Sequence, residues 1–209
     1  GSRDRPLFKL VDGRVAAEGS RQVDGDTLFC IGSCSKPVST IVMMALTEAG
    51  QFDVDAPTDK YLPAFGNLKL KDGTAVRAPR IWELLSHRGG IYSQTQGLTP
   101  DQERLIRNFE LTLEQSVSGI GQQPLIAVPG TLYAYSGAAY CVAGRAAEVA
   151  TGSTFDSLVR RKLAGPLGMK RTTYFPAAAE ANIASGLLLA EGKPIPDPQT
   201  PHALGARLR

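Results

Sequence analysis

The sequence predicts an α+β protein in which a mostly helical lobe is inserted into an antiparallel sheet. Three observations favour this class: strand signals at the beginning of the chain, successive helix patterns through its middle, and strand signals near its end. Strands followed by helices and then by strands are expected where helices are segregated from a sheet. The 209 residues are enough for one domain with a proper core, or for two small lobes that share one.

The first strand signals lie before residue 32. Segments 7–11 and 14–18 flank an Asp-Gly pair at 12–13, which is typical of a two-residue hairpin turn. Residues 27–31 are predicted to form a third short strand. These segments are expected to contribute to the antiparallel sheet.

Helix patterns follow. Over 35–49 the apolar residues recur at helical spacing, and Gly50 supplies the stop. Thr99 and Thr112 each begin a capping box, so a helix is expected after each of them. Further helices are predicted over 81–87, 138–150 and 153–165.

Strand signals return at 172–175 and 185–190, and the proline-rich segment 193–201 is predicted to be a loop. So few strands leave one edge or face of a sheet poorly covered. The sequence therefore predicts a sheet that these segments do not complete.

Composition and charge exclude several classes of function. The net charge is only +3, and the two short basic runs, at 160–162 and 207–209, belong to no nucleic-acid motif, so no nucleic-acid partner is expected. No apolar run is long enough to predict a membrane span. Three cysteines without metal-site spacing and two histidines predict no metal, and the cysteines are expected to be buried. The compartment and the oligomeric state stay open.

Candidate catalytic chemistry begins with Ser33 and Lys36, an S-x-x-K spacing where a strand gives way to a helix. Three residues apart on a helix, the two side chains share one face, about 5–6 Å apart at Cβ. A neutral lysine amine at that distance can accept the serine proton, and the helix N-terminus favours developing negative charge. The spacing is nevertheless expected about once by chance in such a chain. Ser35 as a simple N-cap is the structural alternative.

Tyr135 is the second candidate, in a loop immediately before the helix predicted at 138–150. A tyrosine held over the S-x-x-K pair can relay a proton between the nucleophile and the leaving group. The alternative is a tyrosine that packs its loop against the helix. Without Ser33, this packing role would be the better interpretation.

In combination, these segments resemble the class C β-lactamase-like serine hydrolases, a group that includes penicillin-binding DD-peptidases and family VIII carboxylesterases. The resemblance extends from about Leu7 to Ala190 and implies a β-lactamase/DD-peptidase-like fold. It is carried by FCIGSCSKP at 29–37, PG at 129–130, YS at 135–136, LTEAGQFDVDAP at 46–57, KYLP at 60–63, LLSH at 84–87, GI at 90–91 and PLGM at 166–169.

The resemblance implies a role for each candidate. Ser33 would be the nucleophile, Lys36 the residue that activates it, and Tyr135 the proton relay. The backbone N–H of Ser33 would form half of an oxyanion hole. The implied substrate is a small ester or amide, cleaved through an acyl-enzyme as in an esterase, a β-lactamase or a DD-peptidase, and no cofactor is required.

Two departures from the family pattern bear on this prediction. Where the family has asparagine after Tyr-x, this chain has Gly137, a candidate substrate-binding position that favours simple esters over β-lactams or peptides. The family's third motif, Lys-Thr-Gly or His-x-Gly on a late strand, is not found before Arg209. The His-x-Gly letters at 87–89 lie upstream of Tyr135, so His87 is interpreted as a hydrogen-bonded structural residue.

Residues 1–209 are therefore expected to be the N-terminal portion of one β-lactamase-like domain, truncated before its C-terminal strands. Its sheet elements are predicted at about 7–31 and 172–190, and its helical lobe at about 35–165. The predicted function is that of a serine hydrolase. The alternative, motivated by Gly137 and the missing third motif, is a non-catalytic or slow-turnover binding or sensor module of the same fold.

Overall fold

The computed structural model describes residues 8–16, 21–108, 111–174 and 182–184, and the backbone of 187–190 and 193–196. The described helices and strands are α1 (Ser35–Glu48), α2 (Ile81–Leu85), α3 (Pro100–Arg107), α4 (Leu113–Gly121), α5 (Gly137–Thr151), α6 (Phe155–Val159), β1 (Leu187–Ala190) and β2 (Lys193–Pro196). Shorter 3₁₀ turns lie at Gly32–Cys34, Thr58–Lys60 and Pro63–Asn67, and a π-helical turn, Arg160–Ala164, continues α6.

The helix predictions are confirmed, and local signals explain where the helices begin and end. Thr99 Oγ accepts the N–H of Gln102 at 3.2 Å, and the Gln102 side chain accepts the N–H of Thr99 at 3.1 Å, which completes a capping box before α3. The same arrangement precedes α4. α5 begins after its N-cap Ser136, whose Oγ accepts the N–H of Ala139 at 3.1 Å. It ends at Gly152, where a φ of 64° favours glycine.

α5 is the helix at the centre of the lobe, and it packs against α1, α2 and α4. Its inward face is built largely from small residues such as Ala143 and Ala146, both fully buried, which let neighbouring helices approach closely. Met43 and Leu46 of α1 and Leu84 of α2 are fully buried in the same core. Each side chain of this kind contributes about 1.5–3 kcal/mol when it leaves water.

Pairing near the N-terminus differs from the predicted hairpin. Among the described parts of 7–11 and 14–18, no strand pair forms across the turn at 12–13. Instead, Arg14 pairs antiparallel with Gln22 in an isolated bridge. The hairpin prediction is wrong because an Asp-Gly pair specifies a local turn, whereas the pairing partner depends on packing elsewhere.

The other strand predictions had mixed outcomes. Residues 27–31 form no strand, since Leu28 makes only a parallel bridge to Ile183, and residues 172–174 form none either. Residue 175 lies outside the described residues. Strand β1 falls within the predicted segment 185–190, whose first two residues are not among those described. The antiparallel sheet as a whole therefore stays a prediction.

β2 corrects the loop predicted at 193–201, because Lys193–Pro196 pairs antiparallel with β1, Leu188 opposite Ile195. Pro194 and Pro196 lie two residues apart, so their missing N–H groups face one edge of the strand. The N–H groups of Lys193 and Ile195 face the other edge, where pairing is possible. Residues 197–201 lie outside the described residues.

An ion pair between a buried carboxylate and a half-exposed guanidinium joins α2 to the loop that precedes α5. Glu83 is only 2% exposed, and its two carboxylate oxygens accept hydrogen bonds from Arg77 at 2.6 and 2.7 Å. Arg77 also donates to the Pro129 carbonyl at 2.9 Å. Burial is the largest influence and opposes ionisation of Glu83. The hydrogen bonds from Arg77 and from the Arg80 N–H, with the charges of both arginines, together outweigh it and hold the pKa of Glu83 below its ordinary value.

Replacing Glu83 with alanine is expected to lower the free energy of unfolding by about 2 kcal/mol, because it leaves the Arg80 N–H and Arg77 without their buried acceptor and frees the loop that Arg77 holds. Urea-induced unfolding would measure the loss. The matched control is Glu103→Ala on α3, which removes an exposed pair with Arg107 and should cost less than about 0.5 kcal/mol. Equal losses in the two variants would contradict the importance of the Glu83 pair.

Candidate active site

Ser33 lies in the 3₁₀ turn that leads directly into α1, and its side chain is exposed. The preceding Gly32 has a φ of 50°, a backbone conformation that favours glycine. Ser35 is the first residue of α1, and its hydroxyl donates to the Gly32 carbonyl at 2.6 Å. Ser35 therefore does not act as the N-cap that the structural alternative required.

The structure brings Ser33, Lys36 and Tyr135 together. Lys36 Nζ donates to Ser33 Oγ at 2.9 Å and lies 2.8 Å from Tyr135 Oη, and Tyr135 Oη donates to Ser33 Oγ at 2.6 Å. Tyr135 comes from a loop 99 residues after Lys36. A hydroxyl, an amine and a phenol within mutual hydrogen-bonding distance can exchange a proton in either direction.

The amine and the phenol also affect one another electrostatically. Lys36 Nζ lies 4.7 Å from the ring centroid of Tyr135 and 5.7 Å from that of Tyr140. The hydrogen bond from Lys36, and then the one with Ser33, lower the pKa of Tyr135 below its ordinary value. A lowered pKa makes the ionised phenol, which is the form able to accept the Ser33 proton, more accessible.

His87 holds the loop that carries Tyr135. The Nδ1 atom of His87 accepts the N–H of Ser136 at 3.1 Å, and its carbonyl accepts the N–H of Ala134 at 2.8 Å. The imidazole packs against the Tyr135 ring, with the centroids 4.6 Å apart. Ser93 Oγ adds a 2.7 Å bond to the Tyr135 carbonyl. The prediction that His87 is a hydrogen-bonded residue is confirmed.

The charge state of His87 follows from its surroundings. Burial, and then the nearby charge of Lys36, lower the pKa of His87 below its ordinary value. A neutral imidazole leaves Nδ1 free to accept the N–H of Ser136, which places the ring proton on Nε2. Acid would therefore remove an acceptor that positions the Tyr135 loop.

Gly137 is the first residue of α5, and its N–H donates to Gln94 Oε1 at 2.7 Å. A side chain at position 137 would collide with the Gln94 carboxamide, which occupies that space. Gln94 is the residue that sequence reasoning missed. No local pattern identifies it, since it lies 43 residues before its partner.

The remaining predictions concern cysteines, metals and membranes. Cys30 and Cys34 are exposed and Cys141 is half-buried, so the expectation of buried cysteines is wrong for the first two. Within the part of the chain that the structure describes, no three His, Cys, Asp or Glu side chains form a cluster suited to a metal ion. None of the described helices is both long enough and apolar enough to cross a bilayer.

Similarity to a known protein family extends over nearly the whole chain. The family model described as Beta-lactamase matches residues 5–206. The chain belongs to the beta-lactamase family, whose members related to this chain include esterases, penicillin-binding proteins and DD-carboxypeptidases. These relatives support a hydrolase.

Two curated relatives illustrate the similarity. Esterase EstB of Burkholderia gladioli is 30% identical over 182 residues, which cover 83% of this chain and 45% of the relative. Penicillin-binding protein 4 of Amycolatopsis lactamdurans is 28% identical over 176 residues, with coverages of 84% and 44%. The chain thus spans about half the length of the curated relatives it matches.

Solved structures agree on the fold. EstCE1, described as a hydrolase with promiscuous acyltransferase activity, superposes with a TM-score of 0.78 at 28% identity, covering 89% of this chain and 49% of that one. A penicillin-binding protein from Bacillus halodurans gives 0.71 at 24% identity, with coverages of 88% and 56%. The second likeness shows the fold alone.

His87 has a φ of 59°, so replacing it should depend on how well the new residue tolerates that conformation. His87→Ala is expected to lower the free energy of unfolding by about 2 kcal/mol, because it adds backbone strain and leaves Ser136 N–H without its acceptor. His87→Asn should cost less, since asparagine adopts positive φ more readily. Urea unfolding of both variants tests this, and equal losses would argue against backbone strain.

Stability should also depend on pH through His87. Its lowered pKa means that the unfolded chain binds a proton more readily than the folded one. The contribution of the neutral imidazole is therefore full above the ordinary value of 6.5 and is lost as pH falls through the folded-state pKa. Unfolding free energies between pH 8 and pH 5 should fall more steeply for the wild type than for His87→Asn. The other histidine, His202, is common to both proteins and cancels.

Proposed function

We propose that this chain carries the nucleophile of a serine hydrolase that cleaves small esters or amides through an acyl-enzyme on Ser33. The observation that supports the proposal is the set of 2.6–2.9 Å contacts among Ser33 Oγ, Lys36 Nζ and Tyr135 Oη. Because the chain spans about half of its relatives, the proposal concerns the activity of the whole protein. No cofactor takes part.

The proposed reaction has two halves. In the first, Ser33 Oγ attacks the carbonyl carbon while its proton passes to Tyr135 Oη in its ionised form, which the neighbouring Lys36 favours. The tetrahedral oxyanion faces the N–H groups at the start of α1. The leaving alcohol or amine receives the proton from the same phenol–amine pair, and the C–O or C–N bond breaks. In the second half, water attacks the acyl carbon, Ser33 Oγ regains its proton, and a carboxylic acid leaves.

Esters are the favoured substrates. At Gly137 no side-chain carboxamide extends from the start of α5. The Gln94 carboxamide fills this space, and its Oε1 already accepts the Gly137 N–H. This reduces the hydrogen bonding offered to a substrate amide, whereas a simple ester requires less of it. The names of the relatives EstB and EstCE1 point in the same direction.

The second candidate function is a binding or sensor module that acylates slowly or does not turn over. The Gly137 and Gln94 arrangement favours it, as does the similarity to penicillin-binding proteins. Mass spectrometry after incubation with benzylpenicillin or a fluorophosphonate separates the two functions. A stable adduct on Ser33 without ester turnover supports the sensor, and rapid turnover of esters supports the enzyme.

Ser33→Ala is expected to abolish hydrolysis of p-nitrophenyl acetate, because it removes the hydroxyl that contacts both Lys36 Nζ and Tyr135 Oη. Tyr135→Phe removes only the phenolic oxygen and should lower kcat by about 10²–10⁴-fold. Ser118→Ala on the exposed face of α4 and Tyr133→Phe, at a phenol 58% exposed, are the matched controls and should retain activity. If Ser33→Ala hydrolysed p-nitrophenyl acetate as fast as the wild type, the hydrolase proposal would be wrong.

A further inference from the structure

A cleft of about 470 Å³ opens beside the candidate site, between α1 and α5. This volume lies within the range of about 300–1,000 Å³ that is usual for small-molecule sites. We call it the α1–α5 groove. From α1 and α5 it is lined chiefly by Lys36, Ser39, Met43, Gly137, Tyr140 and Gly144.

The groove adjoins the candidate site at Lys36. Lys36 forms part of its wall, and Lys36 Nζ is 2.9 Å from Ser33 Oγ. On the opposite helix the groove runs from Gly137 to Glu148, a distance of eleven residue steps, which corresponds to about 16 Å at 1.5 Å per residue. A linear group attached at Ser33 can therefore extend along it.

We infer that the α1–α5 groove binds the unbranched hydrocarbon chain of an ester substrate, and that this chain belongs to the acyl half. The inference rests on the proposed function and names its substrate class. The acyl half stays attached to Ser33 after the alcohol has left. A chain held along two helices keeps the acyl carbonyl fixed while water attacks it.

The wall of the groove is mainly carbon. Met43, Leu113 and Phe155 contribute apolar surface, and Tyr140 contributes its ring. The Tyr140 hydroxyl donates a hydrogen bond to the Leu85 carbonyl at 2.9 Å. Such a wall matches a hydrocarbon, which needs no hydrogen-bond partner.

The polar groups in the middle of the groove bond to one another. Ser39 Oγ donates to the Ser35 carbonyl at 2.9 Å and lies 2.9 Å from the Tyr174 hydroxyl. Burial raises the pKa of Tyr174 above its ordinary value, in keeping with apolar surroundings. With their hydrogen bonds made internally, these groups demand no polar atom from a bound chain.

Gly144 keeps the groove open. Its position in the middle of α5 is unfavourable relative to alanine, so a packing reason is expected. Close packing against a neighbour is not that reason, because a Cβ at position 144 would lie 3.8 Å from Phe155 and 3.9 Å from Leu113, which are ordinary contact distances. The missing side chain therefore serves as room within the groove.

Charged groups end the groove at the far side from Ser33. Arg145 pairs with Glu114 at 2.9 Å and with Glu148 at 3.2 Å. An apolar chain that reached these charged groups would displace their water without replacing its hydrogen bonds, which is unfavourable. The groove therefore suits a chain of medium length, such as octanoyl.

Gly144→Leu fills the groove and is the direct test. The kcat/KM for p-nitrophenyl octanoate is expected to fall at least about tenfold, while that for p-nitrophenyl acetate stays within about twofold, because only the longer chain needs the filled space. Gly144→Ala is the matched control for helix propensity. It should fold at least as well as the wild type and retain turnover of the octanoate ester within about threefold.

The inference would be overturned if Gly144→Leu lost activity equally on p-nitrophenyl octanoate and on p-nitrophenyl acetate. The inference would also be overturned if chain length mattered only in the alcohol. In that case octyl acetate and ethyl acetate would be cleaved at different rates, whereas esters with different acyl groups would not. Circular dichroism establishes that each variant is folded. If Gly144→Leu does not fold, Gly144→Val replaces it in the calorimetric comparison below and must bind octanoate more weakly than Gly144→Ala does.

Calorimetric titration with sodium octanoate separates this inference from the proposed function, because it needs no turnover. The wild type and Ser33→Ala should both bind octanoate, and Gly144→Leu should bind it at least about tenfold more weakly. If octanoate binds in this way but no ester is cleaved, the groove is a binding site for an acyl chain and the hydrolase proposal is wrong. If ester cleavage requires Ser33 but does not change in Gly144→Leu, and if octanoate does not bind, the acyl-chain role of the α1–α5 groove is wrong and the hydrolase proposal stands.

Discussion

The candidate site depends on the hydrogen bonds that join the segment after α2 to the loop before α5. Gly90 and Arg88 accept backbone N–H groups from Ile126 and Gly130, each at 2.8 Å, and the His87 contacts continue this pairing toward α5. These bonds fix the position of the loop that carries Tyr135 relative to the start of α1. The Tyr135 phenol reaches Ser33 only because the backbone beneath it is held from two sides.

Charge arrangement follows from that geometry. Lys36 divides its donors between Ser33 and Tyr135, so one cation interacts with both the hydroxyl and the phenol. His87 lies close enough for the same cation to disfavour a second positive charge. The site thus combines one charged amine, a neutral imidazole that acts as a support, and a phenol whose proton is easier to remove. This division of roles is what a proton relay between two partners needs.

Helix α5 connects the core, the site and the groove. Its buried alanines pack against the neighbouring helices, its N-terminus meets Gln94, and Gly144 leaves open space beside α1. Small residues on one helix therefore have two different consequences. Where a neighbour approaches closely they allow tight packing, and where none does they leave a cavity. The sequence pattern alone does not distinguish these cases, since the distance to the neighbour is a tertiary quantity.

By itself the sequence determined the helices, because capping residues, apolar spacing and terminal glycines act within a few residues of one another. It also indicated the pairing of Ser33 with Lys36, which lie one helical turn apart. It did not determine the strand partner of Arg14, the strand at Lys193–Pro196 or the part played by Gln94. Only the tertiary structure decided these, because each depends on which distant backbone or side chain lies opposite, and local sequence carries little information about such contacts.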